Sequence, residues 1–263
     1  MEITFLGTSG GILTATRSYP SILIDRTLLL DCGDGTTQRL MQLNVLSSVN
    51  TICLSHLHGD HFMGITSLLW YYMFINRKVH LTIIGPSPIK EAVVKLLELQ
   101  SIPPDLLVKL PFKLQFKELT ASNDVLEVQD GYKIKYAEMD HTTPAFAYRI
   151  EKNSESVCYS GDSRPTQNLI ELAEKSNIFI CEATFSDDQK EIAYQYGHCT
   201  PIDAAKMARD AGCEKLVLTH ISPPFAKIVN QSIERLKDIF DKEILIAEDL
   251  MTLEMIKNVV MIK

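Results

Sequence analysis

Six residues, His56-Leu57-His58-Gly59-Asp60-His61, limit what this chain can fold into more than any other stretch. Three of its seven histidines and one carboxylate stand there together. Imidazole suits zinc and other borderline cations, and carboxylate suits harder ones, so the stretch reads as a set of metal ligands. Residues 51–54, just before it, form an apolar run that reads as a buried strand, and 62–74, just after it, carry apolar residues at helical spacing. That places the ligands on the rim of a sheet, where donors from other loops can join them. Gly59 is expected to turn the backbone sharply and send His58 and Asp60 to different sides.

The rest of the chain alternates strands and helices. Strands are expected at 2–6, 21–24, 27–30, 79–84, 133–137, 146–150, 157–160, 178–181, 216–218 and 244–247, with a hairpin turning at Asp25-Arg26. Helices are expected at 36–43, 89–99, 166–175 and 231–240, and at 201–211 with Thr200 as its N-cap. Residues 101–127, interrupted by Pro103, Pro104 and Pro111, have no regular pattern. Mixed elements in two similar halves predict an α/β chain of one domain, 1–263, with two sheets packed face to face and helices outside.

A net charge of −7 argues against a general nucleic-acid coat protein, whose affinity comes from neutralised phosphates. Residues 1–10 lack a basic segment followed by an apolar one, and the longest dense apolar run, 68–75, falls short of the ~20 residues that cross a bilayer. A cytoplasmic protein that does not use the membrane is expected. Cys32, Cys53, Cys158, Cys181, Cys199 and Cys213 are scattered without a C-x-x-C pair and read as reduced, mostly buried thiols.

Four more metal-binding residue types stand near predicted strand ends: Asp31 in Leu30-Asp31-Cys32-Gly33-Asp34-Gly35, His141, Asp162 in Ser160-Gly161-Asp162, and His220 in Leu218-Thr219-His220. Each alone reads as a turn residue. In this order, with H-x-H-x-D-H, they resemble the motifs of the metallo-β-lactamase superfamily. The resemblance implies an αββα sandwich and a hydrolase with two divalent metal ions. It places one ion on His56, His58 and His141, the other on Asp60, His61 and His220, with Asp162 bridging through its two oxygens and Asp31 behind the ligands. Zinc is the default for so many imidazoles, and manganese or iron fits the same donors. Such an ion pair acidifies a water and neutralises charge on departing oxygens.

Further segments, Asp140-His141-Thr142-Thr143-Pro144-Ala145-Phe146, Tyr159-Ser160-Gly161-Asp162-Ser163-Arg164-Pro165, Cys181-Glu182-Ala183-Thr184-Phe185 and Gly197-His198-Cys199-Thr200, are similar to the ribonuclease Z group, and the likeness runs from Phe5 to Asp249. It implies an endoribonuclease that matures the 3′ end of precursor tRNA, commonly as a homodimer. Asp60 and His198 are then catalytic. His198 binds no metal and serves the leaving oxygen, with Glu182 orienting it; the structural alternative is a histidine capping a helix. The chain also departs from the group. The arm that grips tRNA is reduced to Glu151-Lys152-Asn153-Ser154-Glu155-Ser156. The loop P-x-K-x-R-N appears as Leu13-Thr14-Ala15-Thr16-Arg17-Ser18 and keeps only Arg17, a candidate for substrate contact. H-x-S-x-R-Y becomes His220-Ile221-Ser222-Pro223-Pro224-Phe225 and lacks the arginine. These losses favour a second reading, a hydrolase of small phosphodiesters such as cyclic nucleotides. Other superfamily hydrolases, acting on thioesters, lactones or sulfate esters, would not need Glu182 and His198. Lys109, Lys113 and Lys117 form either a replacement RNA surface or ordinary solvated charges.

Overall fold

Segments such as Leu28–Leu30, Thr51–Cys53 and Ile178–Glu182 are apolar at nearly every position, so a strand built from them is stable only when both its faces are covered. A computed structural model, which describes residues 1–102, 110–120, 125–256 and 259–262, provides that cover with two sheets and outer helices. Strands β1 (Glu2–Gly7), β2 (Ser21–Ile24), β3 (Leu28–Leu30), β4 (Thr51–Cys53), β5 (Leu81–Pro86) and β6 (Leu114–Leu119) belong to the first sheet. The second sheet comprises β7 (Val125–Glu127), β8 (Lys133–Glu138), β9 (Phe146–Lys152), β10 (Glu155–Tyr159), β11 (Ile178–Glu182), β12 (Lys215–Thr219) and β13 (Glu243–Ile246), in reverse spatial order β13 to β7. The chain then returns to the first sheet as β14 (Thr252–Ile256) and β15 (Val259–Ile262), giving the order β15-β14-β1-β2-β3-β4-β5-β6.

Alternation along each strand divides the core into three layers. On β3, Leu28 and Leu30 point inward to a cluster shared with Tyr148, Ile150, Val157 and Ile180 of the facing sheet. Leu29 points outward with Ile52 and Ile83, under α1 (Thr36–Gln42), α3 (Gly64–Phe74) and α4 (Ile89–Leu99). Phe179, Leu216 and Leu218 point outward from the second sheet, beneath α5 (Gln167–Leu172), α7 (Pro201–Asp210) and α8 (Ala226–Leu236). Each such side chain contributes roughly 1.5–3 kcal/mol on full burial. This is the expected arrangement of two sheets between helical layers.

Two tight turns and one cap explain much of the local shape. Asp25 and Arg26, at φ 44° and 64°, close the β2–β3 hairpin, and Asn153 and Ser154, at 51° and 67°, close β9–β10. Paired positive φ values suit the two-residue β9–β10 turn, and the β2–β3 connection adds one residue, Thr27, after its pair. Thr200 caps α7 through a reciprocal box with Asp203.

Several expectations need correction. The 101–127 stretch contains β6 and β7, and Lys113 precedes β6 while Lys117 lies on it; Lys109 lies outside the described residues. The predicted helix over 62–74 is broken at Met63 into α2 (Gly59–Phe62) and α3. The helix predicted at 231–240 begins five residues earlier, because its buried positions are Val229, Ser232 and Leu236. A short helix, α6 (Lys190–Gln195), was not anticipated, nor were β14 and β15. All six cysteines are buried and unbridged. Among the described residues no helix is long and apolar enough to cross a membrane.

Candidate metal centre

The parallel strands β3 to β6 and β10 to β13 end on one rim. Ligands at such carboxyl ends lie in the crevice between strand tips. His56, His58, Asp60 and His61 follow β4, His141 follows β8, Asp162 follows β10, Glu182 ends β11 and His220 follows β12. Gly59 does not turn sharply. It opens α2, and that helical turn is what separates His58 from Asp60. The glycine freedom that matters lies elsewhere: Gly161 has φ +56° just before Asp162, and a Cβ on Gly10 would sit 2.3 Å from the carbonyl oxygen of His220.

All seven proposed ligands converge. His56, His58, His141 and Asp162 form one group of donor atoms lying within 4.8 Å of one another, and Asp60, His61 and His220 form another. In the first group, His56 Nε2 is 3.0 Å from His58 Nδ1, which is 3.1 Å from His141 Nε2. In the second, His61 Nε2 and His220 Nε2 are 3.1 Å apart. Asp162 Oδ2 faces both groups, 3.7 Å from His56 Nε2 and 3.3 Å from His61 Nε2. Its Oδ1 is buried with no hydrogen-bond partner among the described residues. Imidazole nitrogens turned on one another, beside an orphaned carboxylate oxygen, fit two cations held by these side chains.

The hydrogen bonds behind the ligands fix which nitrogen each presents. His61 Nδ1 donates to Asp31 Oδ2 at 2.8 Å, and Asp31 also accepts from Ser55 N, Ser55 Oγ and Tyr159 OH. His56 Nδ1 donates to Ser55 Oγ at 3.0 Å, His141 Nδ1 to the Gly197 carbonyl at 2.8 Å and His220 Nδ1 to Thr184 Oγ1 at 2.7 Å. Each therefore offers Nε2 to the centre, while His58 offers Nδ1. The backbone N–H of Gly11 donates to Asp60 Oδ2 at 3.2 Å.

Electrostatics suit a cation centre. Burial lowers His56, His58 and His141, which stay neutral lone-pair donors at pH 7. Burial would raise Asp60 and Asp162, but the surrounding histidines outweigh it, so both remain carboxylates. His61 is the exception. Burial lowers it, yet Asp162 and Asp31 raise it well above the usual range, so a metal entering here displaces a proton.

His198 stands beside the ligands without joining them. Its Nδ1 lies 3.1 Å from Glu182 Oε1. Ser163 N also donates to Glu182 Oε1, and Thr184 Oγ1 donates to Oε2. Burial lowers His198, but Glu182 and Asp162 outweigh it and raise it to about 9, so it is protonated at neutral pH. A cluster of Asp162, His198 and His220 is also within ligating reach of one point. It shares Asp162 and His220 with the two groups above and adds only His198, so we count it as part of the same centre and not as a third site. Nor does His198 cap a helix, since Thr200 caps α7.

Arg17 is placed differently from its expectation. Its guanidinium bonds Thr8 Oγ1, the Thr8 carbonyl and the Ile221 carbonyl, which ties the N-terminal loop to the His220 loop instead of facing substrate. Sequence reasoning also gave no role to Thr184, the Gly11 N–H or the Gly197 carbonyl. Thr184 lies inside the C-E-A-T-F motif; the two backbone groups leave no sequence signal at all.

Residues 26–221 match the model of the Beta-lactamase superfamily domain. The chain is 30% identical to the ribonuclease Z of Methanothermobacter thermautotrophicus over 309 aligned positions, covering 97% of this chain and 96% of the relative. Because those positions outnumber the 263 residues here, the relative carries residues that this chain lacks. It is 29% identical to the ribonuclease Z of Haloarcula marismortui, covering 95% of each. Among solved structures, human tRNase Z, short form, is similar with a TM-score of 0.79 and 26% identity, over 97% of this chain and 99% of that one.

Proposed function

The chain belongs to the ribonuclease Z family of the β-lactamase superfamily, and from that premise we propose that it is a metal-dependent endoribonuclease that cuts precursor tRNA at its 3′ end. The observation that carries this reading is the His198–Glu182 pair, set beside the seven metal donors with His198 Nδ1 held by Glu182. Two divalent ions on the seven ligands, zinc by preference, would supply a nucleophile at neutral pH and positive charge facing the phosphoryl oxygens.

The protein's own residues do the rest. Glu182 fixes the His198 ring through Nδ1, which leaves Nε2–H as its acid. The P–O bond to the departing nucleoside breaks, and that oxygen takes the His198 proton. Asp60 Oδ2 is engaged by Gly11 and His220. Its Oδ1 is available to accept the proton that the attacking water gives up.

The reading treats residues 1–263 as one cytoplasmic domain. It extends to a homodimer: Met63, Trp70 and Phe74 expose apolar surface along and just before α3, where a second copy would bury it. A second reading, hydrolysis of small phosphodiesters, draws on one observation: β9 and β10 are joined by the two-residue turn Asn153-Ser154, with no arm between them.

The test incubates the purified, metal-loaded protein with precursor tRNA and, separately, with bis(p-nitrophenyl) phosphate. Shortening of the precursor at its 3′ end, abolished by chelation, supports the first reading. Hydrolysis of the small diester with the precursor left intact replaces it with the second.

A further inference from the structure

Two aromatic rings that the chemistry above does not use, Phe185 and Tyr196, line the cleft beside His198, and a third, Phe225, packs behind Phe185. Phe185 and Tyr196 lie within 8° of parallel, with centroids 6.4 Å apart. Phe225 meets Phe185 at 5.4 Å. Phe185 in turn lies 5.8 Å from the His198 ring. Phe185 and Tyr196 share the lining of a cleft of about 430 Å³ with Asp60, Asp162, His198 and His220. Tyr196 is 56% exposed, although it stands at the end of α6 next to the buried Gly197 and the half-buried His198.

Its position is tightly fixed. Tyr196 N–H bonds back to Ile192 and Ala193, Gly197 supplies the carbonyl that orients His141, and His198 follows directly. One short turn thus sets an exposed aromatic face, a metal-ligand support and the acid in consecutive residues. A ring needed only for packing would be turned inward.

Resting on the phosphodiesterase reading above, we infer that Tyr196 and Phe185, backed by Phe225, form a stacking platform for the nucleobase of the nucleotide whose oxygen leaves. In an in-line displacement the leaving oxygen lies opposite the attacking one, on the side of the acid. The nucleoside carried by that oxygen therefore emerges past His198, where the platform stands. Stacking on an aromatic face tolerates any base, because every base has a π-face. That fits a cut placed by the overall shape of an RNA instead of by its sequence.

The experiment compares wild type, Tyr196→Ala and Tyr196→Phe on precursor tRNA and on a short dinucleotide diester. Each substrate is made intact and with an abasic residue on either side of the scissile phosphate. Product ends, 3′-hydroxyl or 5′-hydroxyl, identify which nucleoside carried the leaving oxygen. For an intact substrate, Tyr196→Ala should lower kcat/KM about 5- to 150-fold, the range for loss of one stacked base. Tyr196→Phe should stay near wild type. On a substrate abasic at the leaving nucleoside, the Ala and wild-type proteins should become equal. An equal loss for Tyr196→Ala on intact and abasic substrates, or no loss on either, overturns the platform. Sensitivity only to the abasic site on the other side of the phosphate overturns it too. If the dinucleotide obeys this pattern while precursor tRNA is not cut, the platform stands and the tRNA reading falls.

Discussion

The two halves of the metal centre are built in contrasting ways. His61, His220 and Asp60 are braced from behind by Asp31, Thr184 and the Gly11 N–H, and the two histidines are buried. His58, in the other half, is exposed, and among the described residues its Nδ1 meets only its fellow ligands His56 and His141. The buried half is preorganised by charge, with His61 carrying a proton between two carboxylates until a cation replaces it. In the other half all three histidines are neutral lone-pair donors; His56 and His141 are braced by Ser55 and the Gly197 carbonyl, and it is the exposed His58 that a cation itself must draw in. Two ions held here would thus meet a rigid side, where structure does the positioning, and an adaptable one at His58, on the side open to solvent.

Asp162→Ala should have the largest effect, because it removes the one side chain that faces both halves. Elemental analysis should fall from two ions to none per chain, and turnover should become undetectable. One tightly retained ion with activity would mean that the halves are independent.

His198→Ala should touch neither half. Both ions should remain, while kcat on an RNA substrate falls about 10²–10⁴-fold, the usual contribution of a positioned acid. A diester with a nitrophenolate leaving group should lose less, since that group departs without a proton. An equal loss on both substrates would assign His198 to phosphate binding.

Stability of the chelated protein probes the contrast directly. His61→Ala leaves the buried Asp31 its donors Ser55 and Tyr159 but removes its ionic partner, and should cost about 3–5 kcal/mol in urea unfolding. His58→Ala, at an exposed site, should change stability by no more than about 0.5 kcal/mol. Because folding raises His61 above its unfolded value, its contribution should be complete below about pH 6.5 and fade as pH rises through the folded value. Equal costs for the two variants would erase the distinction between the halves.

Thr184→Val should act on one half alone. It removes the acceptor for His220 Nδ1–H and should weaken one ion of the two about 10- to 100-fold, as loss of a supporting hydrogen bond typically does. Competitive chelator titration measures this, and equal weakening of both ions would show that the brace serves the whole centre.

The sequence was readable where chemistry is local. His56 to His61 announce themselves because several donors occupy one turn. His141, Asp162 and His220 were found only by matching a family, since a lone acid or imidazole at a strand end has no periodicity of its own. β6 was missed because prolines precede it and its burial alternates only partly, as an edge strand's does. α6 was missed because six residues are too few to establish a helical stripe. Arg17 illustrates a different failure. Its type was compatible with phosphate contact, but three backbone and side-chain oxygens of its own fold already occupy it. The platform at Phe185, Tyr196 and Phe225 draws on three separate segments, and no window of sequence contains it.

The return of the chain to its first sheet has a consequence for biosynthesis. Glu2 pairs with Glu254 and Ile3 with Leu253, so one edge of β1 lacks this neighbour until residues 252–254 have been made. At ribosomal rates of ~5–20 residues per second, that leaves an apolar strand edge open for roughly 12–50 s. His220, too, emerges near the end of that interval, so neither the first sheet nor the second half-site can close early. Throughout that wait, the newborn protein offers chaperones and neighbouring nascent chains a β edge that the finished molecule no longer presents.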